Sequence, residues 1–467
     1  MKSSFTFAAC IAFVATGLFQ PLQAQKATPG GKKTVASASK NQTLIPFRKD
    51  GKWGYCDADK NIVIAPKYDD ASPMTDGMAA VSLNDDWGFI DQTGKEAVPL
   101  KYRSVIAFNH GLGGVTQRKA KGTIMGYVDK TGKQVGPMDE EYNFEYADYG
   151  MFLQKTGDKV GLYDNTGKVI VPAKFESCRA SGENTFAVKM NGKYGYIDKT
   201  GKELVPAKYD EVGNFSEGLA PIMIANKYGI IDKKGKEMIK PSVYTNMTYF
   251  SSGFIAALRV NWVFIDKTGK LLTAQQYDDL KDSPAYIFSD GFARICLNRK
   301  FGYINRHGKD IVTPKYTMAY HFHNGMARVE MDQKTGFVDT SGKEVLPTQY
   351  FFGTDFKKGT AIVSSPEGYG CIDKKGKVLI PLEYTAISPL ASHIGISNAE
   401  PADGYFIDGV IPAFKGDKGG LVDKTGKAVT ALKYNKIAAC EGNIFCVSDD
   451  DHPVYYINSK GTEYTFD

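Results

Sequence analysis

Residues 193–222 read KYGYIDKTGKELVPAKYDEVGNFSEGLAPI. The phrase opens with an aromatic, a Gly, an aromatic, an aliphatic and an Asp, then two residues, a Gly and a Lys. In residue numbers it is Tyr194-Gly195-Tyr196-Ile197-Asp198-Lys199-Thr200-Gly201-Lys202. The same phrase stands at Trp53-Gly54-Tyr55-Cys56-Asp57 and at Trp87-Gly88-Phe89-Ile90-Asp91. It runs on to Gly420-Leu421-Val422-Asp423. Its anchor recurs at Asp57, Asp91, Asp129, Asp164, Asp198, Asp232, Asp266, Asn305, Asp339, Asp373, Asp423 and Asn458. Most steps are 34 residues. A Tyr or Phe lies eleven residues later, as at Tyr209 and Tyr316, and a Gly-small-apolar phrase follows, as at Gly218-Leu219-Ala220. Three anchors in phase make this a repeat array of about twelve members.

Within one repeat the local chemistry predicts strands. Leu219–Ile224 is an apolar run, and Tyr228–Ile231 is a second, joined by a tight connection. Asp232-Lys233-Lys234-Gly235 reads as a turn, with the Asp accepting backbone hydrogen bonds and the Gly taking positive φ. A third strand begins at Lys236 and is expected to stop near a Pro, which cannot donate to a ladder. The segment after the Tyr anchor is read as looser, with a short fourth strand. Gly195 and its equivalents have no side chain, so a ring or backbone is expected to approach closely there. No segment shows sustained i, i+3, i+4, i+7 apolar spacing, so little helix is expected.

Composition agrees. The 467 residues include 49 Gly and 54 Tyr plus Phe, which suits short strands joined by turns. The net charge of +6 is spread over the chain, with no basic cluster, so nucleic acid is not an expected partner. At the N-terminus Lys2 precedes an apolar stretch from Phe5 to Phe19 and a small residue at Ala24. Residues 1–24 are therefore read as a signal peptide, and 25–43, rich in Gly, Ser, Thr and Lys, as a flexible linker. The array spans 44–467. No later run is long enough for a membrane span. Export to the periplasm, cell surface or exterior is the expected localisation.

These phrases resemble the bacterial WG repeat, the Trp-Gly β repeat related to the KWG repeat, over essentially the whole of 44–467. The resemblance implies an all-β tandem array of antiparallel meanders and carries no catalytic residues to transfer. Thirty-four residues is short for a four-stranded propeller blade, and twelve repeats exceed the usual four to eight blades. The expectation is an open curved β-superhelix with terminal repeats as caps, with one or two β-propellers as the alternative.

Motifs for chemistry are absent: no phosphate loop, GxSxG, HExxH or CxxC. No cofactor, metal site or catalytic residue is expected. His321 and His323 share a strand face without an evident third ligand and are read as surface histidines. Carboxylate runs occur at Asp139-Glu140-Glu141 and Asp449-Asp450-Asp451, and a glycosidase would need two carboxylates facing across a sugar. Cys440 and Cys446 are close enough in sequence to bridge across a hairpin. Trp53, Trp87 and Trp262 occupy one repeat position and are expected in the core; a ligand platform is the other reading. The long step before Asp423 marks an insertion, placed at 395–417. Tyr405, Phe406 and Phe414 are its candidate interaction residues, because insertions in repeat proteins gather on a binding face. The favoured function is a secreted, non-enzymatic repeat protein presenting an extended surface to a protein or peptide. A cell-envelope glycan-binding protein is the alternative, and a propeller-type glycoside hydrolase the third.

Overall fold

The computed structural model describes residues 44–120, 122–139, 144–278, 287–387, 404–440, 442–450 and 454–465. Among them there is no helix, and the strands form twelve antiparallel sheets, each following chain order. The signal-peptide and linker readings of 1–43 lie outside the described residues, as do Glu140, Glu141 and Asp451.

One repeat shows how the sequence builds a sheet. Its strands are Glu211–Val212, Leu219–Ile224, Lys227–Asp232 and Glu237–Tyr244, paired in that order. The short strand after the Tyr anchor is thus the first strand of the next sheet. The turn before the second strand takes positive φ at two successive residues, Glu217 and Gly218, the type I′ geometry that matches strand twist. After the third strand the Asp turn is built as its residue types suggest. In the preceding sheet the Asp198 Oδ1 accepts the Thr200 N–H at 2.8 Å, the Thr200 hydroxyl at 2.6 Å and the Lys202 N–H at 3.1 Å. Gly201 closes that turn with φ +82°.

The Gly of the aromatic-Gly phrase has a sharper role. Tyr194 pairs with Tyr209 and Tyr196 with Val205, so the fourth strand carries two more residues than the third between these pairs. The bulge holds Pro206 and throws backbone over Gly195: a Cβ there would lie 2.5 Å from the Val205 carbonyl oxygen and 2.6 Å from the Ala207 nitrogen. Only Gly leaves room. The same crowding recurs at Gly54, Gly88, Gly229, Gly302, Gly336 and Gly370. The Pro therefore does not end the strand, as the sequence suggested. It sits inside the strand, at the bulge, where its missing N–H costs no ladder bond. Exceptions support this reading. Val263 and Tyr455 replace the Gly in the seventh and twelfth repeats, and both sheets lack a regular fourth strand. The eleventh repeat keeps Gly420 but has no Pro in Ala428–Tyr434, and it too has three strands.

The described residues divide into two compact units: those within 44–139 and 433–465, and those within 144–387 and 404–432. In the second, successive sheets stack face on face. Ala187, Tyr196, Val205 and Tyr209 of the fifth repeat share a core with Val212, Phe215, Ala220, Ile222 and Ile231 of the sixth. The ring after the Gly meets the Phe three residues before the next type I′ Gly, edge to face or tilted: Tyr196 on Phe215 at 4.7 Å, Tyr303 on Phe322 at 4.9 Å, Phe337 on Phe356 at 4.9 Å. Acidic residues of the type I′ turns bind the next repeat. Glu217 accepts the Gly253 N–H at 2.8 Å, and Asp290 accepts that of Gly325 at 3.0 Å.

In the first unit the first and last repeats share a core of Phe47, Trp53, Tyr55, Cys446, Tyr456 and Tyr464. The Trp53 and Tyr456 rings lie 6.1 Å apart, and the Tyr464 hydroxyl donates to the Ala58 carbonyl at 3.2 Å. The terminal repeats are not caps with free outer faces. No disulfide joins Cys440 to Cys446. They sit on paired strands but opposite other residues, Cys440 facing Ile444 and Cys446 facing Ala438, so no bridge forms across the hairpin.

Candidate functional site

The repeat explains most polar residues. Asp91, Asp129, Asp164, Asp198, Asp266 and Asp339 are held below the usual carboxylate range. Partial burial raises each of them, and hydrogen bonds from a Thr or Ser hydroxyl and two backbone N–H groups outweigh it. These carboxylates are spent on turns. Asp449 accepts the Tyr455 hydroxyl at 2.6 Å, and Asp450 accepts the Asn435 amide at 2.9 Å. Among the described residues no three His, Cys, Asp or Glu gather as metal ligands.

The candidate residues of the insertion fall mostly into the core. Phe406 stands three residues before Gly409, the place held by Phe215, Phe322 and Phe356 in other repeats, and it is 1% exposed. Tyr405 is also buried, and its hydroxyl donates to the Asp355 carbonyl at 2.7 Å. Phe414 is half-buried in the strand Val410–Lys415, its ring lying over Gly419. So 404–417 is ordinary repeat, and the extra residues stand at 388–403, outside the described residues. Trp53 and Trp262 are buried and Trp87 half-buried beside Tyr102, which places them with the core.

What the repeat leaves unexplained gathers in the second unit. The residue directly after the Gly-small-apolar phrase is Ala80, Gly114, Leu153, Ala187, Pro221, Ala256, Ile362, Pro412 or Cys446 in nine repeats. In the eighth and ninth it is Arg294 and Arg328. Next to them the first strand of the ninth sheet is extended to six residues, Met318–His323, with an irregularity between Ala319 and Phe322. That strand brings Tyr320 against Arg328 and His321 near Arg294.

Arg294 is 5% exposed and donates to the Ala319 carbonyl at 2.8 Å. Arg328 lies over the Tyr320 ring, 3.3 Å from its centroid. Its Nε donates to Asp355 at 3.2 Å and its Nη1 to Glu330 at 3.3 Å. The Tyr320 hydroxyl donates to Glu330 at 3.0 Å, and the Tyr303 hydroxyl to the Tyr320 carbonyl at 2.6 Å. His323 Nε2 stands 3.9 Å from Asp355. His321 Nδ1 is buried without a hydrogen-bond partner. Burial pushes the His321 imidazole down to about 4, and Arg294 and His323 push the same way against Asp355. His321 is therefore neutral near pH 7. Sequence reading saw the His321–His323 pair but not its setting; the signal was the Arg in one column of two consecutive repeats.

A second departure lies on the surface. The residue after the Tyr anchor is Asp69, Asp210 or Thr317 in other repeats but Phe351 here, followed by Phe352. Both rings are exposed, at 52% and 44%. Phe352 meets the Tyr369 ring at 6.0 Å, and the Lys334 ammonium lies 3.0 Å from the Phe351 centroid.

No helix among the described residues is long and apolar enough to cross a membrane. Curated proteins give no significant match. Among solved structures, the chain is similar to a eukaryotic initiation factor at 12% identity, covering 73% of this chain and 96% of that one, with a TM-score of 0.32. Kluyveromyces lactis Hsv2p is similar at 9% identity over 49% of this chain and 91% of its own, with a TM-score of 0.28. Likeness this distant says nothing of function. The WG containing repeat family matches residues 53–85, 87–119, 161–194, 194–228, 228–261, 262–301, 301–334, 336–365 and 369–392. The third, irregular repeat and the last two fall outside those matches. With more than half of its length matched in the register that the Asp turns and bulges define, the chain belongs to the WG repeat family.

Proposed function

We propose that this chain is an exported, non-enzymatic repeat protein that binds a protein or peptide partner through the segments joining each Tyr anchor to the following core Phe. One observation carries the reading. Departures from the repeat concentrate in and beside those segments: the lengthened strand Met318–His323, Asp355, and the extra residues at 388–403. Insertions and irregularities on one edge of a repeat array mark its binding side. The apolar N-terminal stretch supports export. Selection of a random peptide library on the full chain tests the reading. Enriched peptides should lose binding in Arg328→Ala and keep it in a variant altered on the far loop, Asn191→Ala. Enrichment that neither variant nor loop deletion changes would refute it.

A second reading, a glycan ligand, is favoured by the exposed Phe351 and Phe352, since exposed aromatic rings are what sugars stack on. Phe351→Ala with Phe352→Ala should then abolish glycan-array hits, and an array without hits removes this reading.

A further inference from the structure

We propose that the tenth repeat carries a docking surface for an acidic peptide, built on Lys358, Lys374, Lys375 and Lys377. A partner's Asp or Glu side chain takes the place there of a carboxylate that other repeats supply themselves. The inference deepens the peptide-binding reading and rests on it, since Lys358 directly follows the segment that closes with Asp355, Phe356 and Lys357.

Charge that the sequence spreads thinly is gathered here by strand pairing. Thr360 pairs with Asp373 across the second and third strands of the sheet. Lys358 stands two residues before Thr360, and Lys374 and Lys375 directly follow Asp373, so three cations flank one rung. Ile372 pairs with Val378 on the fourth strand, which brings Lys377 to the same end. Neighbouring strands lie about 4.8 Å apart, so the four side chains share one small patch. Lys358, Lys375 and Lys377 are exposed, and Lys374 is half-buried, its ammonium donating to the Asn324 carbonyl. None of the four has an ion-pair partner among the described residues. Asp373 is spent on its turn, where it accepts the Lys375 and Lys377 N–H groups. Glu344 is engaged with Lys315 and Tyr316, and Asp355 with Arg328. In the fifth and sixth repeats the same rung, Thr185 with Asp198 and Leu219 with Asp232, is flanked instead by Glu183 and Glu217.

The missing carboxylate defines the seat. At other junctions the residue in the Lys358 column accepts an N–H from the next repeat's type I′ turn and a cation from the residue after that repeat's Asp anchor. Asp76 accepts the Gly111 N–H at 2.6 Å and the Lys130 ammonium at 2.7 Å. Glu183 accepts the Gly218 N–H at 3.1 Å and the Lys233 ammonium at 2.9 Å. In the tenth repeat the column holds Lys358, and the matching turn glycine of the next repeat is Gly409. The Gly409 N–H donates to no acceptor among the described residues, and beyond its chain neighbours no atom lies within 4 Å of a Cβ built there. A backbone donor and an ammonium group therefore stand where this fold elsewhere binds Asp or Glu. Charge-assisted hydrogen bonds to an incoming carboxylate complete the junction, and the surrounding lysines steer an acidic segment towards it. That acidic side chains of the chain itself fill the equivalent seats favours an acidic peptide over an anionic glycan or a nucleic acid.

Fluorescein-labelled hexaglutamate is the probe, titrated into the full chain at low salt and read by anisotropy. Lys358→Glu installs the carboxylate that Glu183 and Glu217 supply in the same column, a residue type the turn already accepts. It should weaken the Kd at least about tenfold, the loss of one charge-assisted hydrogen bond or more. Lys300→Glu makes the same charge change at the hairpin end of the eighth sheet, and should leave the Kd within about twofold. The Gly409 amide supplies a readout independent of net charge. Its ¹H–¹⁵N signal should move when hexaglutamate is added to the parent, and should already be displaced in Lys358→Glu without the probe. Equal weakening by the two variants, or a Gly409 signal that the probe does not move, would overturn the inference. So would a free parent whose Gly409 signal already matches that of Lys358→Glu, because a carboxylate of the chain itself then fills the seat. Tighter binding of oligogalacturonate or of hexathymidylate than of hexaglutamate would overturn it, as would no hexaglutamate binding at millimolar concentration. Library peptides that lose binding in Arg328→Ala but keep it in Lys358→Glu would overturn it too, while leaving the peptide-binding reading in place.

Discussion

Consider Gly195→Ala. The added methyl would sit 2.5 Å from the Val205 oxygen, 2.6 Å from the Ala207 nitrogen and 2.7 Å from the Pro206 carbonyl carbon, where ordinary contact begins near 3.4 Å. The overlap is with three backbone atoms, so no flexible side-chain tip can yield. Two relaxations are open. If the bulge shifts and the strand stays, overpacking costs about 1–3 kcal/mol. If the strand Glu203–Tyr209 detaches, Val205 and Tyr209, now 1% and 0% exposed, lose burial worth about 1.5–3 kcal/mol each. The destabilisation is about 1–3 kcal/mol by the first route and about 3–6 kcal/mol by the second. The sheets that carry Val263 and Tyr455, without a regular fourth strand, show the second outcome already realised. Urea unfolding gives the loss as a shift in midpoint at constant slope. Hydrogen exchange places it, with protection lost across 203–209 and retained in Thr185–Met190. An Ala variant within 0.5 kcal/mol of the parent, with exchange unchanged across 203–209, would refute the claim that backbone crowding selects this Gly.

Four further outcomes are expected. The Tyr209 hydroxyl is buried with no partner, so Tyr209→Phe should be neutral or stabilising by up to about 1 kcal/mol. Tyr196→Phe removes a 2.7 Å bond to the Gly213 carbonyl and should cost about 1–2 kcal/mol; thermal unfolding compares the two. Arg328→Ala leaves Asp355 and Glu330 without their cation and should destabilise by about 1–3 kcal/mol, read from chemical denaturation. The turn carboxylates are depressed in the folded state, so their contribution is present above the ordinary Asp value and lost as pH falls through their folded values. Stability should hold from neutral pH down to about pH 4 and decline below it, with Thr200→Val lowering stability at neutral pH and making the decline smaller. Burial pushes the Cys56, Cys178 and Cys371 thiols up to about 12; iodoacetamide at pH 8 should label them only after unfolding.

Much of the fold was legible because its signals are local. The Asp198 turn needs only residues 198–202, and its Oδ1 bonds are the ones the sequence suggested. Close approach at Gly195 was legible as well, since a conspicuous Gly in a strand implies it. Pro206 was misread because a missing N–H predicts an unpaired position without telling an end from a bulge. That choice depends on Tyr209 returning to pair with Tyr194. Phe406 was misread because the insertion was measured between Asp anchors. Counted from Gly409, it falls in the core column of Phe215 and Phe356.

By itself the sequence determined the 34-residue period, the strand-and-turn order within it and the place of the anchor Asp and of many Gly in that pattern, because backbone chemistry acts over a few residues. Tertiary structure decided what requires distant segments to meet. The first repeat lies on the last through Trp53 and Tyr456, and no local residue pattern encodes that contact. Arg294, His321 and Asp355 come from three different repeats. Stacking of consecutive sheets, driven by the burial of one apolar face on the next, carries them into one cluster and leaves His321 without a hydrogen-bond partner.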